Sequence, residues 1–200
     1  MKIGILGGTF NPVHNGHIML ARRAKEEFDL DKVVFMPAGN PYFKKGVLPI
    51  VRRVEILKAA LGEEFEISEL ESDQKKPTYS CDTFEYLHKK YPEDTFYMIL
   101  GYDCLESVHL WMNPGKLLAN CEIIAATREG SSKEALEKVA EDLQREFGGR
   151  VHLLEFPDIK ISSTKIREKI LRGESIEGLV PKEVEGLVVR YEKESGNQSE

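Results

Sequence analysis

Two imidazoles three residues apart, His14 and His17, flank Gly16 in the run Ile3-Gly-Ile-Leu-Gly-Gly-Thr-Phe-Asn-Pro-Val-His-Asn-Gly-His17. At a helix N-terminus that spacing sends both rings to one side, with Gly16 clearing space for a bulky ligand. Imidazoles so placed can donate hydrogen bonds to phosphate oxygens. Just upstream, Gly7 and Gly8 permit positive φ and let a ligand approach the backbone. The helix start that follows offers unpaired N–H groups and the positive end of a helix dipole, which suits an anion. The run is not a dinucleotide fingerprint, because G-x-G-x-x-G is absent, and not a Walker loop, because no Gly-Lys-Ser/Thr follows. A lone histidine is more often a surface or satisfied core residue, and a Gly-Gly pair is more often only a tight turn. Their combination on a strand, turn and helix favours a phosphate site. Near the other end, Ile161-Ser162-Ser163-Thr164-Lys165-Ile166-Arg167 is a helix start rich in hydroxyls with a guanidinium one turn inside. Those hydroxyls can cap the helix or bind phosphate, and Arg167 can clamp phosphate bidentately. The bland alternative is an ordinary N-cap followed by a surface arginine.

The elements that must position these residues alternate. Lys2–Leu6, Val33–Met36, Phe65–Ile67, Thr95–Leu100, Glu122–Ala126 and Val151–Phe156 are short, apolar and bounded by turn residues, as strands are. Between them lie helical spacings: about Asn15 to Asp29, Val51 to Leu61, a segment opened by a capping box at Asp82-x-x-Glu85, and one opened by Ser131-x-x-Glu134. A penultimate helix is expected from about Ser163 to Leu171, and a last one from Pro181 to near Tyr191. The alternation predicts an α/β fold, a Rossmann-like doubly wound parallel sheet of five or six strands with helices on both faces. No linker or repeat interrupts residues 1–191, read as a single domain, and residues 192–200 read as a polar, frayed tail. Pro37–Pro49 and Ser72–Ser80 are too long and polar for simple connections, which suggests working loops.

Two hundred residues with 41% hydrophobic and 31% charged side chains can bury a sizeable core. The net charge of −6 disfavours nucleic acid or acidic lipid as a partner. Three cysteines, Cys81, Cys104 and Cys121, far apart and without C-x-x-C, argue against a disulfide or zinc scaffold and for a reducing, cytoplasmic setting. No apolar run approaches a membrane span, and Met1 leads directly into a strand rather than a signal peptide. A homo-oligomer is compatible with the sequence.

Gly7-Gly8-Thr9-Phe10-Asn11-Pro12-Val13-His14-Asn15-Gly16-His17 closely resembles the signature of nucleotidyltransferases that carry an H-x-G-H motif, and Ile161–Arg167 resembles that superfamily's second signature. Over nearly its whole length the chain is similar to the bacterial nicotinate-mononucleotide adenylyltransferases. Their middle signature appears as Gly101-Tyr-Asp103-Cys-Leu105 followed by Trp111. The resemblance implies transfer of the adenylyl group of ATP, with Mg²⁺, to nicotinate mononucleotide, giving deamido-NAD and pyrophosphate. It implies His14, His17, Lys44 and Arg167 as the donors acting on the phosphates, and no metal held by the protein itself. ATP would lie against Gly7, Gly8, Thr9, Phe10, Gly16, Gly101, Asp103, Ser162, Ser163 and Thr164, with Asp103 near the ribose. Trp111 would stack on the pyridine ring, its rival role being a core anchor. In Pro77-Thr-Tyr79-Ser80-x-Asp82-Thr83, Tyr79 and Ser80 would meet the substrate carboxylate, Ser80 standing where the family commonly has threonine. Phe43 replaces the family's histidine, and Asn11 stands where aspartate is common. Arg52 and Arg53 each fit a phosphate contact or a solvated helix face equally well. The rivals are pantetheine-phosphate adenylyltransferase, another small-molecule nucleotidyltransferase such as a cytidylyltransferase, and a catalytically silent nucleotide sensor.

Overall fold

The computed structural model describes residues 1–41, 46–73, 77–127, 133–157 and 159–196. In chain order the elements are β1 (Lys2–Gly8), α1 (Asn15–Glu27), β2 (Lys32–Pro37), α2 (Ile50–Leu61), β3 (Glu66–Ile67), α3 (Ser80–Lys90), β4 (Thr95–Gly101) and α4 (Tyr102–Leu105). A 3₁₀ turn (Val108–Leu110) precedes α5 (Pro114–Leu118), β5 (Glu122–Ala126), α6 (Lys133–Phe147), β6 (Val151–Leu154) and α7 (Ser163–Leu171). A second 3₁₀ turn (Lys182–Val184) leads into α8 (Glu185–Gly196). The strands form a six-stranded sheet in the order β3-β2-β1-β4-β5-β6. That is the order of Rossmann-type doubly wound sheets, as the alternation predicts.

The strand interiors are apolar on both faces because helices cover both. Ile3, Ile5 and Leu6 of β1, Phe96 and Met98–Leu100 of β4, and Ile123–Ala126 of β5 are all buried. Parallel pairing sets Leu6 opposite Ile99 and Leu100 opposite Ala125. The carboxyl ends of β1 and β4 therefore lie side by side, at the point where the strand order reverses. Ligands of such sheets sit beyond those ends.

The chain packs as two compact units. One comprises Met1–Gly7, Leu20–Phe35 and Thr78–Asp158 and holds the strands just described with α3 to α6. The other comprises Gly8–Met19, Met36–Pro77 and Ile159–Glu200. Its core is built from Leu48, Ile56 and Leu57 on and before α2, Ile166 and Ile170 of α7, and Val184 and Val188 near the last helix.

Two local expectations are corrected. The Asp82-x-x-Glu85 capping box does not form: α3 begins at Ser80, its N-cap is Tyr79, and no side chain caps it. Both carboxylates instead bind Lys116 of α5, at 2.8 and 2.7 Å. That pairing draws protons away from Glu85, holding it down at about 2. The last helix does not fray after Tyr191 but runs to Gly196, with Glu192 buried. A polar sequence there hides a helix whose inner face packs on α7 and α2. The Ser131-x-x-Glu134 box falls partly outside the described residues.

Candidate active site

The turn after β1 is built differently from the sequence expectation. Neither Gly7 nor Gly8 has positive φ; the left-handed residue is Phe10, at φ 48°. Gly8 serves Phe10 sterically, since a Cβ there would lie 3.0 Å from its ring. The Phe10 ring is buried and meets His17 edge-on, 5.1 Å between centroids. Gly7 faces open space.

His14 and His17 stack at 3.6 Å with planes 21° apart. The backbone N–H of His14 donates to His17 Nδ1 at 3.2 Å. An Nδ1 that accepts leaves the ring's donor on Nε2, in an imidazole that is half-buried. His14 lies deeper, 7% exposed, and its Nδ1 has no partner. Burial holds its pKa down at about 4, so at neutral pH it is an uncharged ring beneath its neighbour. Gly16 makes room for that ring: a Cβ on it would lie 3.1 Å from His14 Nδ1.

A pH dependence of stability follows. The folded pKa of His14 lies below its ordinary value of 6.5, so its contribution is complete above pH 6.5 and fades as pH falls towards 4. A drop from 6.5 to about 4 corresponds to about 3 kcal/mol. Denaturant titrations at pH 7 and pH 4 should show this much more acid loss in the wild type than in His14→Gln; equal losses would assign acid sensitivity elsewhere.

The second cluster joins the first. Ser162 caps α7 by accepting from Lys165 N at 3.3 Å. Ser163 Oγ donates to the Pro12 carbonyl at 2.8 Å, and Arg167 Nη1 donates to the Asn11 carbonyl at 2.8 Å. Arg167 Nη2 also reaches Thr164 Oγ1 at 3.4 Å, so Thr164 and the half-buried guanidinium share one edge. Asn15 closes the ring, its backbone N–H on Leu179 O and its amide on Gly178 O. With His17 N bonded to His14 O, part of the N–H supply of α1 is already used.

Two residues do structural work that the sequence left open. Arg53 is not on a solvated face; it is 1% exposed. It donates to the carbonyls of Thr9 (2.6 Å), Leu48 (2.8 Å) and Ala38 (2.8 Å), with Gly39 at 3.4 Å. Burial lowers its pKa to about 10, which leaves it charged at neutral pH. Arg52 instead pairs with Glu194 at 3.0 Å and lies over Tyr191. Asn11 accepts from Leu48 N at 3.0 Å and donates to Gly46 O at 3.4 Å, so its amide fastens the loop before α2. Phe43 and Lys44 lie outside the described residues.

The other unit carries the remaining residues at the end of β4. Gly101 is the N-cap of α4, and Asp103 stands exposed within that helix. Trp111 is half-buried, its Nε1 donating to Ser107 Oγ at 3.1 Å, between Leu110 and Met112, which are 76% and 56% exposed. It is therefore not a fully buried core anchor. Tyr79 and Ser80 are half-buried at the start of α3. Among the described residues, no group of three or more His, Cys, Asp and Glu could hold a metal ion, and no helix is long and apolar enough to cross a membrane.

The cytidylyltransferase-like family matches residues 5–169. A protein of Exiguobacterium sibiricum named "Probable nicotinate-nucleotide adenylyltransferase" is 38% identical, over 96% of this chain and 97% of its own. A Clostridium tetani protein of the same name is 34% identical over 95% and 97%. The chain belongs to the nicotinate-nucleotide adenylyltransferase family. Its fold is that of the Plasmodium falciparum nicotinic acid mononucleotide adenylyltransferase solved with NaAD, at TM-score 0.80 and 18% identity over 95% of each chain. The same parasite enzyme solved with APC superposes at TM-score 0.77, with 17% identity over 95% of each chain. As a family member the chain is a nucleotidyltransferase, and the H-x-G-H run and the Ser-Ser-Thr helix start both fall within the matched residues.

Proposed function

We infer that this protein transfers the adenylyl group of ATP to nicotinate mononucleotide, with the ATP phosphates on the cluster of His17, Ser162, Thr164 and Arg167. The observation that carries this reading is the lock between the two ends of the chain, in which Ser163 and Arg167 bond the Pro12 and Asn11 carbonyls beside the stacked imidazoles. In the reaction, a 5′-phosphate oxygen of the mononucleotide forms a bond to the α-phosphorus of ATP. The α–β bridging P–O bond breaks, and pyrophosphate leaves with the electron pair. The nucleophile is ionised at neutral pH, so no general base is required, which suits a site whose more buried histidine is neutral and unpartnered. What remains is alignment, worth ~7–11 kcal/mol in favourable cases, and donors aimed at the charge that builds on the phosphates.

His17 Nε2–H is one such donor and Arg167 another. His14 acts beneath them, fixing the tautomer of His17 through its backbone N–H. Lys44 is the family's further cation. The cluster is rich in N–H, hydroxyl and guanidinium donors, which suit phosphate oxygens and not a cation. A Mg²⁺ would therefore be held by the phosphates of ATP, and would supply charge neutralisation that these donors complement. Gly7, Gly8, Thr9, Phe10, Gly16, Gly101 and Asp103 are proposed to line the nucleotide, and Tyr79, Ser80 and Trp111 the pyridine end. Cys81, Cys104 and Cys121 form no disulfide, which suits a reducing cytoplasm.

Pyrophosphate release tests the assignment. With Mg-ATP, turnover is expected with nicotinate mononucleotide, less with the amide mononucleotide, and none with phosphopantetheine. Turnover with phosphopantetheine alone would move the chain to the pantetheine branch, and nucleotide binding without turnover would make it a sensor.

A further inference from the structure

Lys116 is a cation that the reaction scheme does not use, yet it links the start of α3 to the turn that follows Trp111. Its Nζ meets Asp82 Oδ1 at 2.8 Å and Glu85 Oε2 at 2.7 Å, so α5 is fastened to α3. Helix α3 opens on Tyr79 and Ser80 with no side-chain cap, and Asp82 lies in its first turn. The Asp82 N–H donates to the Tyr79 carbonyl at 2.9 Å, which fixes that carboxylate beside the helix start. At the other end of the tie, Asn113 follows Trp111 by two residues and turns the chain into α5 at φ 49°. Its side chain accepts from Lys116 N at 3.1 Å, and the Asn120 amide donates to the Lys116 carbonyl at 2.7 Å. Both the main chain and the ammonium of Lys116 are thus held. Glu85 has a second cation in Lys89, at 2.9 Å, whereas among the described residues Lys116 is the cation that meets Asp82.

We propose that Lys116 sets the preference for an acidic over a neutral pyridine ring: it balances the charge of Asp82 beside the Tyr79–Ser80 helix start, so that a carboxylate can be received there. The inference rests on the reading that Tyr79 and Ser80 meet the substituent of that ring. Lys116 acts through Asp82 and the placement of α3, so it is a positioning residue. Without it, Asp82 would set a full negative charge against the nicotinate carboxylate, a repulsion that the uncharged amide of the nicotinamide ring does not feel. The ribose and the 5′-phosphate are common to the two mononucleotides, so their contributions cancel when acid and amide are compared.

Steady-state kinetics with nicotinate mononucleotide and with its amide, with Mg-ATP as co-substrate, tests this in the wild type, Lys116→Met and Asp82→Asn. Lys116→Met should lower the acid-to-amide ratio of kcat/KM about three-fold, through KM for the acid, with KM for ATP unchanged. Asp82→Asn should move the same ratio the other way, raising it about two-fold, since Glu85 still holds Lys116 and leaves its charge in surplus. A tie that served stability alone would shift neither ratio and would show only in melting temperature. Shifts of opposite sign in the two variants support the proposal. Any other pattern, in a wild type that turns over, overturns it and leaves the acceptor reading standing. No turnover of either mononucleotide by the wild type overturns that reading as well. Should Lys116→Met not fold, Asp82→Asn decides alone, since the Asp82 side chain is 61% exposed and its loss leaves the fold intact.

Discussion

His17→Ala is expected to lower kcat by about two orders of magnitude, the size seen when one preorganised donor to a developing oxyanion is removed. The expectation comes from the tautomer. The His14 N–H occupies His17 Nδ1 at 3.2 Å, so Nε2 carries the proton without any change of charge. A neutral donor held by stacking at 3.6 Å costs little reorganisation when charge builds on the phosphates. Because the contact strengthens in the transition state, kcat and kcat/KM should fall together and KM for ATP should change less. Stability should change by only about 1 kcal/mol, the worth of the lost backbone-to-ring hydrogen bond. Steady-state kinetics paired with a melting curve checks both. Near-normal turnover in a folded variant would place the phosphate contact on another residue.

The parallel sheet was legible because its strands are buried on both sides and therefore read as unbroken apolar runs. All six were located to within two residues at each end, and the helices that alternate with them imposed the doubly wound order. The meeting of the two phosphate signatures was legible for a different reason. Each carries a helix start with spare polar groups, and two such starts can share one anion. What the sequence could not show is how the polar groups divide their hydrogen bonds. Asp82 and Glu85 have the spacing of a capping box, yet Lys116 on another helix offers each a full charge, which outcompetes a backbone N–H. Gly16 reads as space for a ligand, but its closeness to the ring of His14, 3.1 Å from where a Cβ would stand, cannot be read from spacing. Glu192 opens what looks like a polar tail, but Val188 and Tyr191 keep that turn of α8 against the core and carry the carboxyl in with them.

The two adjacent arginines make the sharpest contrast. Arg53 had a signal that went unused: it falls with Ile50, Val54, Leu57 and Leu61 on the apolar face of α2, one position from Arg52 on the outer face. A charge at such a position must find partners inside. Arg53 finds the carbonyls of Thr9, Leu48 and Ala38 and so binds the turn after β1 and both ends of the connection between β2 and α2 to one side chain. No carboxylate could do this, since carbonyls need a donor, and a lysine would offer one point of charge where a planar fork reaches several.

Arg53→Ala is therefore expected to destabilise the fold by about 3–5 kcal/mol, since it leaves several buried carbonyls unpaired and empties a packed site. That is a large share of the ~5–15 kcal/mol by which a domain is ordinarily stable. Arg53→Lys should recover only part of it. Arg52→Ala, one residue away, should cost no more than ~1 kcal/mol, because its ion pair is with a Glu194 that stands largely in solvent. Urea titrations of the three variants measure these differences. Activity should fall further than stability alone dictates in Arg53→Ala, because the Thr9 carbonyl it releases belongs to the turn that carries His14 and His17. Kinetics at a temperature where the variant is fully folded isolates that part. Wild-type turnover there would mean the turn is held by the Ser163 and Arg167 bonds alone, with Arg53 serving only the core.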